Sequence, residues 1–118
     1  MDNRCAEAQP SITKDGSMVR ELIHPRLHGN RNLSLAEASV PVGSVTLLHL
    51  HKRSEEIYYI LDGEGMMTLG NERFEVKPGD SILISPEIPH QIQNTGKIAL
   101  RFLCCCAPAY SHDDTKLI

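Results

Sequence analysis

Residues 43–63 read GSVTLLHLHKRSEEIYYILDG, and they carry the strongest structural signal in the chain. His49 and His51 are separated by one residue, and alternate side chains of a β-strand project from the same face. If this stretch is a strand, the two imidazoles leave it about 6.6–6.8 Å apart. Imidazoles that reach out from this spacing can converge on one ion, so the pair predicts a metal site.

An acidic residue follows the histidine pair after a few polar residues. We expect a tight turn after His51 that returns the chain antiparallel and brings this acid beside the imidazoles. Glu55 and Glu56 both have suitable spacing. Glu56 is preferred because it keeps strand phase with Tyr58 and Ile60, whereas Glu55 is better placed to remain in solvent.

A fourth donor is predicted at His90, which follows Pro89 and the apolar segment 81–85 and so comes from a different strand. Either pattern alone is weak, since a lone pair of alternating histidines is usually incidental and a single histidine is more often structural. When the histidine pair and His90 occur in the same chain, a metal site becomes the favoured interpretation of both. Three imidazoles and one carboxylate suit one divalent transition metal ion (Fe, Mn, Ni, Cu, Co or Zn) and leave coordination positions open.

Short β-type segments separated by turn residues fill most of the chain, which is typical of an all-β sandwich or barrel. They cover residues 18–24, 33–40, 44–51, 55–61, 66–70, 73–77, 81–85, 90–94 and 98–106. The segment 33–40 is the weakest, because Leu, Ala and Glu also suit a helix. We predict an N-terminal arm over residues 1–17, a barrel over 18–107 and a surface tail over 108–118 in which Asp113 and Asp114 are solvated.

Composition narrows the function classes. With 118 residues the chain is one domain, and its net charge of −3 gives no reason to expect a nucleic-acid partner. It contains no apolar run of about 18 residues, so no membrane partner is expected, and without a secretory signal we expect a cytoplasmic location. Cys5 stands alone and residues 104–106 are consecutive cysteines, a spacing that favours buried free thiols over disulfides.

Strand phase also predicts an association surface. We expect Val45 and Leu47 to share the face of His49 and His51, and the opposite faces of 44–50 and 57–61 to form an apolar outer surface on neighbouring strands. Such a surface needs a cover, so the chain is predicted to form a homodimer through that sheet. The N-terminal segment is the alternative cover.

Several other side chains are candidates for a functional role or have an ordinary structural explanation. Tyr58 is in phase with Glu56 and could donate a hydrogen bond to a substrate or act as an acid, although a core aromatic is the more common role. Cys104 could border the same pocket. Arg101 is expected to be a solvated charge. The remaining histidines are His24, His28 and His112, and we expect all of them to lie on the surface.

The first motif resembles one of the cupin superfamily. Its pattern is G-x5-H-x-H-x3-4-E-x6-G, and every specified position is filled, by Gly43, His49, His51, Glu56 and Gly63.

Residues 79–94 resemble the second cupin motif, G-x5-P-x-G-x2-H-x3-N. Gly79, His90 and Asn94 match it, whereas Ser85 and Glu87 replace the family's proline and glycine. The turn at that point is therefore expected to be kept with altered geometry. Together the two motifs cover about half of the chain.

The resemblance implies an all-β fold, a double-stranded β-helix or cupin jelly-roll barrel. It implies that His49, His51, Glu56 and His90 ligate the metal at one mouth of this barrel. It also implies that Gly63 and Gly79 are turn residues and that Asn94 makes a structural hydrogen bond.

The expected function is a metalloenzyme that acts on a small polar molecule, with dioxygenase-like chemistry as the leading class. A sugar isomerase or lyase is the alternative enzyme, and a non-catalytic metal- or ligand-binding protein is the alternative of another kind. A metal-free epimerase-type protein is disfavoured because all four ligand positions are filled.

Overall fold

The computed structural model describes residues 9–118, which fold into two antiparallel sheets. The six-stranded sheet contains, in spatial order, β1 (Pro10–Ile12), β2 (Met18–Ile23), β3 (Ser34–Val40), β10 (Leu100–Ala107), β5 (Glu55–Asp62) and β8 (Ser81–Ile84). The five-stranded sheet contains β11 (Thr115–Leu117), β4 (His49–His51), β9 (His90–Asn94), β6 (Gly65–Leu69) and β7 (Glu72–Val76). The all-β jelly-roll prediction is confirmed.

Helical structure in the described part of the chain is limited to α1 (Pro25–His28), a single turn between β2 and β3. No helix of residues 9–118 is long and apolar enough to cross a membrane. The segment 34–40, which also suited a helix by composition, is a strand, because it pairs along its whole length with β10.

Alternating burial explains why the strands form where they do. In β5, Glu56, Tyr58 and Ile60 are buried while Ile57 and Tyr59 face outward, so one face of the strand packs into the barrel. The same alternation in both sheets produces one apolar core. Its most buried large side chains are Phe102, Ile60, Met67, Ile84, Ile92 and Leu100.

Gly63 has the turn role and Asn94 the structural hydrogen-bonding role that the resemblance implies. Gly63 has a φ of +86°, and a Cβ atom there would lie 2.8 Å from the carbonyl oxygen of Ala99. Asn94 donates to the carbonyls of Val40 and Ile98 at 3.0 and 2.8 Å, which closes the loop between β9 and β10.

Glu87 occupies the glycine position of the second motif and keeps a glycine-like conformation, with a φ of 68°. Its N–H donates to the carbonyl of His51 at 2.7 Å, so the turn before His90 is tied to β4. The turn is therefore retained with a side chain in the left-handed region, which costs L-residues energy.

The predicted strand 44–51 is shorter than expected, because only His49–His51 forms β4. The N–H of Thr46 donates to the carbonyl of Ile92, and the N–H of Ile92 donates to Oγ1 of Thr46, both at 3.0 Å. The N–H of Leu47 donates to the carbonyl of Asp15 at 2.8 Å. These contacts bend the segment, so Thr46 and His49 are buried while Val45 is 49% exposed and Leu47 53%. The prediction that Val45 and Leu47 share the face of the histidines is wrong.

The expected antiparallel pairing across the turn after His51 is also wrong. β4 pairs with β11 and β9, whereas β5 pairs with β10 and β8, so the two strands belong to different sheets. Residues 52–54 cross from one sheet to the other, and Glu56 faces the histidines across the barrel. Residues 44–50 and 57–61 therefore do not form the single outer surface that the sequence predicted.

The expectation of a solvated acidic tail is wrong for Asp114 and holds for Asp113. Asp113 is exposed, but Asp114 is only 4% exposed and accepts backbone hydrogen bonds from Arg53 and Ser54. Residues 115–117 pair with β4, and residues 10–12 pair with β2. The division of the chain into arm, barrel and tail stays a prediction.

Candidate metal centre

The structure brings His49, His51 and His90 together inside the barrel, with one nitrogen of each ring within 4.8 Å of the others. His49 and His51 come from β4, and His90 begins β9, where it pairs directly with His49. All three are buried, at 3%, 4% and 0% exposure. This is the only group of three or more candidate ligands that residues 9–118 place within that distance.

Backbone carbonyls fix the orientation of two of these rings. Nδ1 of His49 lies 2.8 Å from the carbonyl oxygen of Leu47, and Nδ1 of His90 lies 2.9 Å from that of Ile88. A carbonyl can only accept, so each Nδ1 carries the proton and each neutral ring directs the lone pair of Nε2 elsewhere. Nε2 of His90 makes no hydrogen bond to any of residues 9–118.

The third ring is oriented through a hydroxyl. Nδ1 of His51 lies 3.1 Å from Oγ1 of Thr115, whose own proton is donated to the carbonyl of Ser111 at 2.9 Å. The hydroxyl therefore accepts from Nδ1 of His51, and Nε2 of His51 is directed inward, where it donates to Oε1 of Glu56 at 3.0 Å. This pattern, in which the outer ring nitrogen is held by a protein acceptor, is typical of metal-binding histidines.

Glu56 completes the predicted set from β5. Its Oε1 lies 3.0 Å from Nε2 of His51 and 3.4 Å from Nε2 of His90, while its Oε2 accepts from the thiol of Cys106 at 3.2 Å. Of the two acids with suitable spacing, Glu56 is buried and faces the histidines, whereas Glu55 is exposed.

The charges of the cluster shift its protonation equilibria. Burial would raise the pKa of Glu56, but its interactions with His51 and His90 outweigh burial and lower this pKa to about 2. Burial also opposes the charged form of His51, yet Glu56 raises the pKa of His51 above its usual value. For His49 burial prevails, and its pKa is lowered. Glu56 is therefore an anionic carboxylate that faces the imidazole nitrogens.

The donor spacing fits one transition-metal ion. Donors that each lie about 2.0–2.2 Å from an ion are about 3–4 Å apart at angles between 90° and 180°. The distances of 3.0 and 3.4 Å from Glu56 to the two imidazoles fall in this range. Nε2 of His90, which is fully buried and makes no hydrogen bond within residues 9–118, would gain a partner.

A cavity of about 40 Å³ adjoins the cluster, which exceeds the space that one water needs. Its apolar wall consists of Val19, Ala36, Ala38 and Phe102, and its polar lining includes Thr13, Asp15, Ser17, Glu21, Ser34, Tyr110 and Thr115. No Lys or Arg of the described chain lines it. The cavity is thus small and partly polar, and the described residues that line it include no lysine or arginine.

Tyr58 and Cys104 line the cavity, as the sequence predicted. The Tyr58 ring packs against His90 and Phe102 at centroid distances of 5.9 and 4.6 Å. Burial raises the pKa of Tyr58 and of Cys104 well above their usual values, so both groups stay protonated at neutral pH. Cys104, Cys105 and Cys106 are free thiols, as predicted, and Cys106 is the most buried; Cys5 lies outside the described residues.

The remaining charged candidates lie outside the centre. His112 is exposed, as predicted, but His24 is half-buried, caps α1 and contacts the carbonyl of Tyr110 at 2.8 Å. His28 is also half-buried. Arg101 is partly exposed and pairs with Glu37 at 2.5 Å, and it also pairs with Asp62.

One residue of the centre was missed by sequence reasoning. Asp15 lies in the turn between β1 and β2, is 8% exposed, and places Oδ2 3.5 Å from Nε2 of His49. The Asp15-Gly16 pair signals a turn, but no local pattern links this turn to a histidine 34 positions away.

Comparison with known proteins identifies the family of this chain. Residues 36–106 match the cupin domain family. The chain belongs to the cupin family. This cupin is 60% identical to an uncharacterized protein of Methanocaldococcus jannaschii over 110 residues, which cover 93% of this chain and 88% of the relative.

Two similarities concern Thermotoga maritima. A protein named oxalate-binding protein is 36% identical to this cupin over 86 residues, which cover 73% of this chain and 70% of that protein. A crystal structure described as a predicted oxalate decarboxylase superposes with a TM-score of 0.79 and 31% identity, over 92% of this chain and 99% of that one.

Proposed function

We propose that this cupin binds one divalent transition metal ion through His49, His51, Glu56 and His90 and acts on a small polar molecule at that ion. The observation that carries the proposal is the inward convergence of three imidazole Nε2 atoms and one anionic carboxylate beside a small cavity. A metal ion would replace the proton between His51 and Glu56 and use the same nitrogen and oxygen atoms as ligands.

The metal ligands are testable by elemental analysis of protein purified without a His tag or chelator. Changing His49 or His90 to Ala should remove most of the bound metal, because each change deletes one direct donor. His112→Ala is the matched control, since the imidazole of His112 is exposed and does not line the cavity. Unchanged metal content in both ligand variants would contradict the assignment.

Dioxygenase-like chemistry is the reaction class that we propose. A bound ion would polarise a substrate oxygen atom and hold reactants in adjacent positions. The chain would supply the apolar wall that restricts water, and Tyr58 would donate a hydrogen bond to the substrate, since its raised pKa keeps the phenol protonated. Metal-dependent oxygen consumption with candidate small substrates tests this class, and turnover that persists without oxygen would instead favour an isomerase or lyase.

The second candidate is binding or decarboxylation of a small dicarboxylate. It is favoured by the relatives named for oxalate, at 36% and 31% identity. Against it, no Lys or Arg of residues 9–118 lines the cavity, so an oxalate ion would depend on the metal for its countercharge. Calorimetric titration of the metal-loaded protein with oxalate, followed by assay for carbon dioxide, separates non-catalytic binding from decarboxylation.

We further propose a cytoplasmic homodimer. The outer face of β5 and β8 exposes Ile57 at 45%, Tyr59 at 42% and Leu83 at 63%, which is an apolar surface of the kind that a second subunit covers. This surface replaces the one expected from the sequence. A monomeric mass by light scattering at micromolar concentration would contradict the dimer.

A further inference from the structure

Asp15 is a buried carboxylate beside the centre for which the four-ligand set gives no role. It lines the cavity shared with the histidine cluster, although it comes from the β1–β2 turn and not from any of the strands that carry the cluster. Asp15 is 8% exposed as a whole residue and its side chain is 11% exposed, and an ionised carboxylate in such a place needs compensating partners.

The turn holds this carboxylate by one of its two oxygens. Oδ1 accepts from the hydroxyl of Thr13 at 2.7 Å and from the N–H and hydroxyl of Ser17 at 2.9 and 2.7 Å. Three donors on one oxygen fix the plane and direction of the carboxylate. The other oxygen, Oδ2, is consequently directed at Nε2 of His49, 3.5 Å away.

Independent contacts dock the turn on the barrel. The N–H of Leu47 donates to the carbonyl of Asp15 at 2.8 Å, and the carbonyl of Leu47 in turn holds Nδ1 of His49. The ammonium group of Lys14 donates to the carbonyls of Thr115 and His112 at 2.8 and 3.2 Å. Asp15 and His49 are thus positioned relative to each other through one residue, and their approach does not depend on a bond between their side chains.

The facing atoms are both lone-pair donors. Because the carbonyl of Leu47 requires the proton of His49 on Nδ1, Nε2 of the neutral ring presents a lone pair to Oδ2 of Asp15. Their separation of 3.5 Å lies within the range of about 3–4 Å expected for two donors to one ion. Glu56 lies at comparable distances of 3.0 and 3.4 Å from Nε2 of His51 and of His90.

We propose that Asp15 is a fifth protein donor, which binds the metal through Oδ2 beside His49. The proposal rests on the metal site proposed above and deepens it. With five protein donors, a six-coordinate ion retains one open position in place of two. A ligand that binds through two oxygens would therefore have to displace Asp15, whereas a ligand that binds through one would not.

The test compares Asp15→Asn with the wild-type protein after metal removal and reloading. The amide oxygen can still accept from Thr13 and Ser17, so the turn is kept while the anionic donor is lost. Asp113→Asn is the matched control, because Asp113 is exposed. Circular dichroism checks folding, and Asp15→Ala provides a second variant should the amide disturb the turn.

Two readouts are measured, Mn²⁺ affinity by calorimetry and the visible absorption spectrum of the Co²⁺-loaded protein, which responds to coordination number. We expect Asp15→Asn to weaken Mn²⁺ binding at least about tenfold and to change the Co²⁺ spectrum, with the control unchanged on both. Unchanged affinity overturns the proposal. Weaker binding with an unaltered Co²⁺ spectrum also overturns it, because Asp15 would then act by charge alone.

His90→Ala, measured in parallel, separates this proposal from the one on which it rests. If the wild-type protein binds no metal, or if His90→Ala binds as tightly as wild type, the four-ligand site itself is wrong and Asp15 has no ion to bind. If His90→Ala loses the metal while Asp15→Asn keeps wild-type affinity and spectrum, the four-ligand site stands and only the fifth donor is refuted.

Discussion

Replacing Asp114 by Ala should destabilise the fold strongly, because this carboxylate closes the crossing between β4 and β5. It accepts from the backbone N–H groups of Arg53 at 3.0 Å and Ser54 at 3.1 Å, and Ser54 is only 2% exposed. The substitution leaves these donors without their charged acceptor.

The magnitude follows from these bonds. A hydrogen bond to a charged group contributes about 1.5–3 kcal/mol, and the two are not fully additive, so we expect Asp114→Ala to lower the free energy of unfolding by about 3 kcal/mol. The ion pair with the Arg53 side chain adds little, since that side chain is 80% exposed. Asp114→Asn retains one acceptor oxygen and should lose roughly half as much.

Urea denaturation of metal-free protein measures the effect, provided that the dependence on urea concentration is equal among the variants. Asp113→Ala is the control, and as an exposed substitution it should stay within about 0.5 kcal/mol of wild type. If Asp114→Ala and Asp113→Ala unfold at the same urea concentration, the reasoning about the crossing is refuted.

The same residue predicts a pH dependence. Burial would raise the pKa of Asp114, but hydrogen bonds from Ser54 and Arg53 outweigh burial and lower it. A carboxyl group whose folded pKa is depressed contributes stability above its unfolded pKa of about 3.9 and loses it as pH falls through the folded value. The stability difference between wild type and Asp114→Asn should therefore be constant near neutral pH and shrink below about pH 4.

Two turn positions yield further predictions by the same denaturation assay. Gly63→Ala and Gly79→Ala both place a side chain at positive φ, but only the Cβ at Gly63 would lie 2.8 Å from the carbonyl of Ala99, so Gly63→Ala should cost about 1–3 kcal/mol more. Equal losses would contradict the clash. Glu87→Gly should stabilise the fold by about 0.5–1 kcal/mol, because relief of the strain at a φ of 68° exceeds the entropy that glycine adds to the unfolded chain. A destabilised variant would show that the turn carries no such strain.

The parts of the centre that could be predicted from sequence are those with a local signal. Alternation along a strand placed Glu56 and Tyr58 on the inner face of β5, and the structure agrees. The spacing of His49 and His51 required only the period of a strand. These features depend only on neighbours within a few residues, so they can be predicted without knowing how the strands pair.

The parts that could not be predicted depend on contacts between distant segments. Asp15 reaches His49 only because Leu47 leaves its strand to bond the turn, and Asp114 reaches Ser54 only because β11 pairs with β4. Neither acid lies in a periodic segment, and a polar stretch on its own is indistinguishable from a solvated loop. The sequence prediction also placed β4 and β5 in one sheet. A short turn between two strands is compatible either with a hairpin or with a connection that crosses from one sheet to the other.

The structure divides the centre into a part built by the barrel and a part that closes it. His49, His51, Glu56 and His90 stand on β4, β5 and β9, which are paired on both sides within the sheets. These four are held by elements whose geometry the core determines.

The closing part comes from the β1–β2 turn and from residues 111–115, which lead into β11, and the two segments meet where Lys14 donates to the carbonyls of Thr115 and His112. Thr115 also holds the ring of His51, and Asp15 approaches His49, so both segments act on the histidines directly. Substitutions of the residues there that line the cavity, such as Asp15 and Thr115, can change access and coordination without disturbing the core. Differences in chemistry between this cupin and relatives of the same fold are therefore expected to lie in these two segments more than in the four residues of the motif.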